Sequence, residues 1–155
     1  MGVAMDSLVT QEGWLLPVVD EDSIAFWEGT RAGKLLIQSC SNCNKFRFPP
    51  RPMCPNCQSL DSQWIPSIGT GTIWSFVIAH PPLLDAYAKI SPYNVIVVSL
   101  DDDPTIRLVG NLIKESGAQL NSVEHTKVEI GAKVQVVFDK LNEEFTLPRW
   151  VLTST

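Results

Sequence analysis

Hydrophobic and polar residues alternate along the second half of the chain in short runs, which predicts β-strands. The runs cover residues 69–80, 93–100, 105–113, 133–141 and 146–153. In the fourth run, Val134, Val136 and Phe138 are expected to face one side of the sheet. A polar stretch, residues 114–130, separates the third run from the fourth. Five short strands without a long helix between them predict a small barrel.

The first third of the chain predicts one short helix. Asp20 is a good N-cap with two acidic residues after it, and Gly33 is placed to end the helix. Ile24, Phe26 and Trp27 give this helix an apolar, aromatic face. Either the chain's own domain covers that face, or a partner protein does. The three residues are therefore candidates for a partner interface.

The four cysteines of the chain form two Cys-x2-Cys pairs. Cys40 and Cys43 make the first pair, and Cys54 and Cys57 make the second. Each pair can present two thiolates from one tight turn, and two facing turns make a tetrahedral site that suits zinc. Two disulfides or four unrelated thiols are the alternatives, and iron also fits four thiolates. Because four protein ligands leave no open position, a metal here is expected to be structural.

Composition favours a globular protein with a real core. Of 155 residues, 45% are hydrophobic and 19% charged, and the net charge is −5. An acidic chain argues against nucleic acid as the main partner, because nucleic-acid binders carry a positive surface. The cysteine segment, residues 40–68, is the positive exception, since Lys45, Arg47 and Arg51 outnumber Asp61. These cations either attract an anion such as a ligand phosphate or only keep the ribbon soluble.

Candidate catalytic residues are few. The two histidines, His80 and His125, have no neighbour at a spacing that suggests a metal or nucleophile pair. If all four cysteines hold a metal, no thiol remains as a nucleophile. We therefore expect no catalytic residues and a chain that is not an enzyme by itself. The start lacks a signal-peptide pattern and no run is long enough to span a membrane, so we expect a cytoplasmic protein without membrane contact.

Several motifs, in this order, resemble the DUF35 family. They are AFWEG at residues 25–29, KLLIQSC at 34–40, FPPR at 48–51, CPxC at 54–57 and GTGTI at 69–73. The resemblance covers about residues 20–152 and implies an N-terminal helix, a rubredoxin-like zinc ribbon and an OB-fold. The polar stretch 114–130 agrees, because an OB-type barrel leaves room for an insertion between its third and fourth strands. We predict a mainly β protein with three parts. Residues 1–33 form an N-terminal segment with a docking helix, residues 34–66 form the four-cysteine zinc ribbon, and residues 67–155 form a five-stranded OB-fold barrel.

The resemblance also implies a function. Members of the family are small subunits that accompany thiolase-superfamily enzymes acting on carbon–carbon bonds of acyl-CoA substrates. In steroid catabolism, one such subunit pairs with a lipid-transfer-protein-like thiolase homologue to form a side-chain-cleaving aldolase, and residues 92–113 and 147–151 look closest to that subgroup. We therefore expect structural Zn2+, a coenzyme A thioester as ligand of the complex, and a heterotetramer with a thiolase-like partner.

Within that role, the basic ribbon has an expected task. Arg47 and Arg51 are candidate contacts for CoA phosphates, and Phe48 is a candidate to pack on the pantetheine arm or the adenine. The alternative is that this loop only stiffens the ribbon. Three other functions stay open at this point: a subunit of an enoyl-CoA hydratase, a free-standing acyl-CoA-binding module, and a single-strand-binding ribbon and OB protein.

Overall fold

The computed structural model describes residues 13–153. In chain order, its helices and strands are α1 (Ile24–Arg31), β1 (Leu36–Cys40), β2 (Phe46–Arg47), β3 (Ser62–Pro66), β4 (Thr70–Ala79), α2 (Asp85–Ala88), β5 (Tyr93–Leu100), β6 (Arg107–Gly110), β7 (Lys133–Lys140) and β8 (Thr146–Leu152). The strands form two antiparallel sheets, with three strands in the order β2-β1-β3 and five in the order β6-β5-β4-β7-β8.

The first helix begins later than the sequence predicts. The predicted N-cap, Asp20, closes a turn ahead of the helix: its Oδ1 accepts hydrogen bonds from Ser23 N at 2.9 Å and Ser23 Oγ at 2.6 Å. Ser23 then occupies the N-cap position of α1. The acidic residues after Asp20 therefore lie in the turn and not in the first turn of the helix.

The three-stranded sheet carries the cysteine segment. Its central strand β1 pairs with β2 and β3, which places Gln38 opposite Arg47 on one side and Trp64 on the other. Gln38 and Arg47 are both buried. The first cysteine turn begins at Cys40, the last residue of β1. The second cysteine turn lies in the loop between β2 and β3.

The five-stranded sheet curls until its ends meet. Leu112, just after β6, forms a parallel bridge with Trp150 of β8. Ile113 N donates to Trp150 O at 2.8 Å, and Trp150 N donates to Asn111 O at 3.0 Å. This closure removes the open sheet edge at that point. The predicted mainly β architecture with a helix, a ribbon and an OB-fold is thus confirmed.

The core lies inside this barrel and extends beneath α1 and β1. Strand β5 alternates strictly, with its inner residues buried and its outer residues half-buried. A Cβ at Gly71 would lie 2.6 Å from Ser99 O, so the close approach of β4 and β5 requires glycine there. The fully or nearly fully buried barrel residues include Ile73, Ile96, Val98, Leu100, Leu108, Leu112, Val134 and Trp150.

Between β6 and β7, the polar stretch packs more closely than its composition suggests. Leu120, Val123 and Val128 are buried, and the segment has one short 3-10 turn, His125–Lys127. Sequence periodicity could not show this, because three isolated apolar residues fit neither a helix nor a strand repeat. The short helix α2 also follows no pattern that the sequence made visible.

The predicted N-terminal lead is described from residue 13 onward, so its first twelve residues lie outside the described part. The domain limits at residues 33 and 66 stay predictions. Between residues 13 and 153, no helix is long and apolar enough to cross a membrane.

Replacing Ile96 by alanine should test the barrel core. Ile96 is fully buried on β5, so Ile96→Ala should lower the free energy of unfolding by about 2–5 kcal/mol. Val77→Ala on β4 is the control, because Val77 is exposed and should change that free energy by less than about 0.5 kcal/mol. Urea titration of both variants measures the difference, and equal midpoints would contradict this account of the core.

Candidate metal centre and ligand cavity

Two turns of the same geometry carry the cysteines. After the first pair, Asn44 N donates to Cys40 O at 2.9 Å, and Asn44 has a positive φ of 59°. After the second pair, Gln58 N donates to Cys54 O at 2.9 Å with a φ of 62°. The left-handed residue ends each turn, so both pairs present their thiols in the same way.

The four sulfur atoms converge. Cys40 Sγ lies 3.5 Å from Cys57 Sγ, and Cys43 Sγ lies 3.6 Å from Cys54 Sγ. All four lie within 4.8 Å of one another. A tetrahedron with Zn–S bonds of about 2.3 Å separates its sulfurs by about 3.8 Å, so the spacing fits one zinc ion. The four predicted ligands are therefore brought together, and a zinc ion held here would be structural, because every coordination position would belong to a cysteine.

Hydrogen bonds prepare two of these thiols to ionise. The backbone N–H of Cys57 lowers the pKa of Cys54 to about 6. The pKa of Cys57 is also lowered, first by the side-chain amide of Asn42, whose Nδ2 lies 3.5 Å from Cys57 Sγ. Metals bind thiolates and not thiols, so donors of this kind favour metal binding.

Within residues 13–153, no second group of three or more His, Cys, Asp or Glu side chains converges as the cysteines do. His80 is exposed and His125 is half-exposed. A closed four-sulfur site gives no open position for substrate or water.

The three residues considered for CoA binding occupy different environments. Arg47 is 5% exposed, and its Nε donates to Gln38 Oε1 at 2.7 Å, while its two terminal nitrogens are buried without a hydrogen-bond partner in the described chain. Phe48 is half-buried. Arg51 is exposed, and its backbone N donates to the same Gln38 oxygen at 2.8 Å. Gln38 thus fixes the loop on which Arg51 stands.

The three residues considered for partner docking also differ. Phe26 is 5% exposed and packs on Phe48, with ring centroids 5.5 Å apart. Trp27 is half-buried and packs edge-on against Phe145 at 5.9 Å. Ile24 is 44% exposed. The chain's own core therefore uses most of the aromatic face, and Ile24 is the residue of the three that a partner can reach most easily.

A cavity of about 400 Å³ opens where α1, the ribbon and the barrel meet. Its walls are mostly apolar and aromatic, with Asn111 and Arg149 as polar members. The lining residues are Phe26, Trp27, Phe48, Tyr87, Tyr93, Val95, Leu108, Val109, Gly110, Asn111, Leu120, Leu147, Pro148 and Arg149.

Sequence reasoning did not identify Arg149 as a site residue. Arg149 is 2% exposed, its Nε donates to Asp139 Oδ2 at 2.6 Å, and its Nη1 donates to Asn111 Oδ1 at 2.7 Å. Burial lowers the pKa of Arg149, and the Asp139 carboxylate opposes that shift. A cation inside the apolar strand LPRWV was the available signal, because buried arginines need a partner.

Removing one metal ligand should unfold the ribbon. Structural zinc contributes about 10–16 kcal/mol in such modules, and that binding energy is folding energy. Cys54→Ser should therefore give protein that is insoluble or has lost its zinc. Ser41→Ala, an exposed non-ligand in the first cysteine turn, should retain one zinc per chain. Metal analysis of the purified chains decides this, and a soluble, zinc-loaded Cys54→Ser protein would contradict it.

Comparisons with known proteins agree with this architecture. Residues 27–61 match the family model described as ChsH2, rubredoxin-like zinc ribbon domain, and residues 64–139 match ChsH2, C-terminal OB-fold domain. The solved Ltp2-ChsH2(DUF35) aldolase contains a chain that is 32% identical, with a TM-score of 0.76, and the match covers 88% of this chain and 98% of that one.

Two curated relatives are longer than this chain. The probable enoyl-CoA hydratase alpha subunit of Thermomonospora curvata is 33% identical over 85% of this chain, which spans 38% of that protein. The 3-oxo-4,17-pregnadiene-20-carboxyl-CoA hydratase alpha subunit of Mycobacterium tuberculosis is 26% identical over 82% of this chain, which spans 37% of that protein. With both ChsH2 domain models matched in order and a near full-length match to the aldolase chain, this chain belongs to the DUF35 family.

Proposed function

We propose that this chain is an accessory subunit of a thiolase-superfamily enzyme that acts on a carbon–carbon bond of an acyl-CoA substrate. One observation supports this most: the match to the chain of the solved Ltp2-ChsH2(DUF35) aldolase extends over 98% of that chain. Aldol cleavage of a steroid side-chain CoA thioester is the reaction we propose, in a heterotetramer with a lipid-transfer-protein-like subunit.

The ribbon is the part of this subunit that we assign to CoA. Arg51 is exposed on a loop that Gln38 holds in place, so its guanidinium can meet a phosphate without rearrangement. Phe48, three residues earlier on the same loop, lines the cavity and is our candidate to pack on the pantetheine arm or the adenine. Arg47 is buried, and we assign it a supporting positive charge and not direct contact.

A hydratase complex is the second candidate. The names of the two curated relatives favour it, since both are alpha subunits of hydratases. In that case this chain corresponds to the DUF35 part of a larger assembly, and a hydratase-fold partner supplies the catalysis. Both candidates share the CoA contact and differ in the partner.

The identity of the partner distinguishes the two. A tagged copy of this chain should co-purify from its native cells with a thiolase-like protein in a fixed ratio, and native mass spectrometry should show two copies of each. Co-purification of a hydratase instead would transfer the proposal to the second candidate. A chain that is recovered alone would contradict both.

Two matched isoleucines test whether α1 contributes to the interface. Ile24→Asp should weaken the complex at least tenfold, because it places a charge on the exposed end of the aromatic face. Ile130→Asp is the control, since Ile130 is 68% exposed in the segment between β6 and β7. Equal dissociation constants for the two variants would remove α1 from the interface.

Arg51 can be tested in the assembled complex. Loss of one charge-assisted hydrogen bond, worth about 1.5 kcal/mol, should raise the KM for acyl-CoA about tenfold in Arg51→Ala and leave kcat unchanged. Lys45→Ala removes another ribbon cation, whose Nζ donates to Asn56 Oδ1 at 3.0 Å, and should leave KM unchanged. Unaltered kinetics in Arg51→Ala would contradict the phosphate contact.

A further inference from the structure

We propose that the cavity between α1, the ribbon and the barrel is a binding site for a neutral, ring-bearing hydrophobic group that presents one carbonyl or hydroxyl oxygen to Arg149. This goes beyond the proposed function, which assigns this chain contacts to CoA and none to an acyl group. The same chemistry is found in the acyl part of a thioester and in a free hydrophobic ketone or alcohol.

The volume and walls of the cavity suit such a ligand. About 400 Å³ is within the range of pockets that hold drug-sized molecules. Five aromatic side chains contribute walls from four parts of the fold: α1, the ribbon loop, α2 and the barrel strand β5. Flat ring faces make most contact with a flat, rigid ligand.

The aromatic walls are held in place before any ligand arrives. Phe26 and Trp27 pack edge to face at 5.0 Å, and Phe26 packs on Phe48 at 5.5 Å. Tyr87 and Tyr93, which also line the cavity, have ring centroids 6.3 Å apart. Burial raises the pKa of Tyr93, so its hydroxyl stays neutral. A site whose walls are already ordered binds with a smaller loss of entropy.

Arg149 gives the cavity one polar end. A guanidinium has five N–H donors, and the named bonds to Asp139 and Asn111 use two of them. Arg149 lines the cavity and is 2% exposed, and its Cζ lies 5.7 Å from the centre of the Trp14 ring. An acceptor oxygen that reaches the edge of the guanidinium there meets little competition from water.

The charge balance selects a neutral oxygen over a carboxylate. Asp139 already neutralises Arg149, with Asp139 Oδ2 2.6 Å from Arg149 Nε. A second carboxylate would enter an apolar cavity without a free positive charge to offset its lost hydration. A carbonyl or hydroxyl loses far less on leaving water.

Calorimetric titration of the zinc-loaded full chain tests the proposal. The probe is androst-4-ene-3,17-dione, a neutral tetracyclic ketone, and we expect binding with a stoichiometry of one. A tetracyclic analogue with a carboxylate in place of the terminal ketone should bind at least tenfold more weakly. No heat with the neutral ketone, or tighter binding of the carboxylate, would overturn the proposal.

Two valines on one strand locate the site. Val95→Phe fills the cavity from β5 and should weaken ketone binding at least tenfold. Val97→Phe is the matched control, because Val97 lies two residues along the same face, is equally half-buried and does not line the cavity. Circular dichroism checks that both variants fold. Equal affinities would show that the ketone binds elsewhere and would overturn the assignment.

A CoA thioester of a tetracyclic acid distinguishes the two sources of ligand. Competition between the thioester and the free ketone, sensitive to Val95→Phe, would assign the cavity to the acyl part of a CoA substrate. Ketone binding without competition would assign it to a free hydrophobic ligand. The binding site stands in either case, whatever partner the chain has.

Discussion

The packing of Phe26 on Phe48 joins the helix to the ribbon, and the remainder of the site depends on it. Phe26 belongs to α1 and Phe48 to the loop between the two cysteine pairs. The neighbouring Trp27 packs on Phe145, just before the last barrel strand, so the same helix also contacts the barrel. Aromatic pairs contribute about 0.5–1.5 kcal/mol beyond the area that they bury. Without the contact between Phe26 and Phe48, the cavity would lose one of its walls. Arg51 would also no longer be held in a fixed position relative to the barrel.

Gln38 links the metal site to the basic loop in a similar way. It stands two residues before Cys40 on β1, and its one side-chain oxygen accepts hydrogen bonds from Arg47 Nε and Arg51 N. A metal that fixes the cysteine turns therefore also orders the loop that carries Arg51. The burial of Arg47 lowers the stability of this region, because burying two guanidinium nitrogens without hydrogen-bond partners costs free energy.

The sequence was most informative where a residue type has one physical use. Four cysteines in two tight pairs predicted a metal site, and the structure brings their sulfurs together. Alternation over short runs predicted the barrel, which the structure confirms. The start of α1 was predicted too early, because Asp20 caps a turn with the same hydrogen bond that caps a helix. The cavity could not be predicted, since its lining residues come from positions 26 to 149 and meet only after the barrel has closed. Arg149 was visible as a charge within an apolar strand, but its partners Asp139 and Asn111 lie on other strands or loops.

A subunit that only binds substrate can still raise the rate of a partner's reaction. Binding energy from parts of a substrate distant from the reacting bond helps to orient that bond and to offset the cost of distorting it. Here the ribbon offers a cation and an aromatic ring on one side of the junction, and the cavity offers apolar walls on the other. Phe48 belongs to both, so an acyl-CoA held at its two ends would be held across this residue. The four-cysteine site fits that proposed division, because a zinc ion held by four cysteines would order the ribbon and leave no open position for a reacting atom.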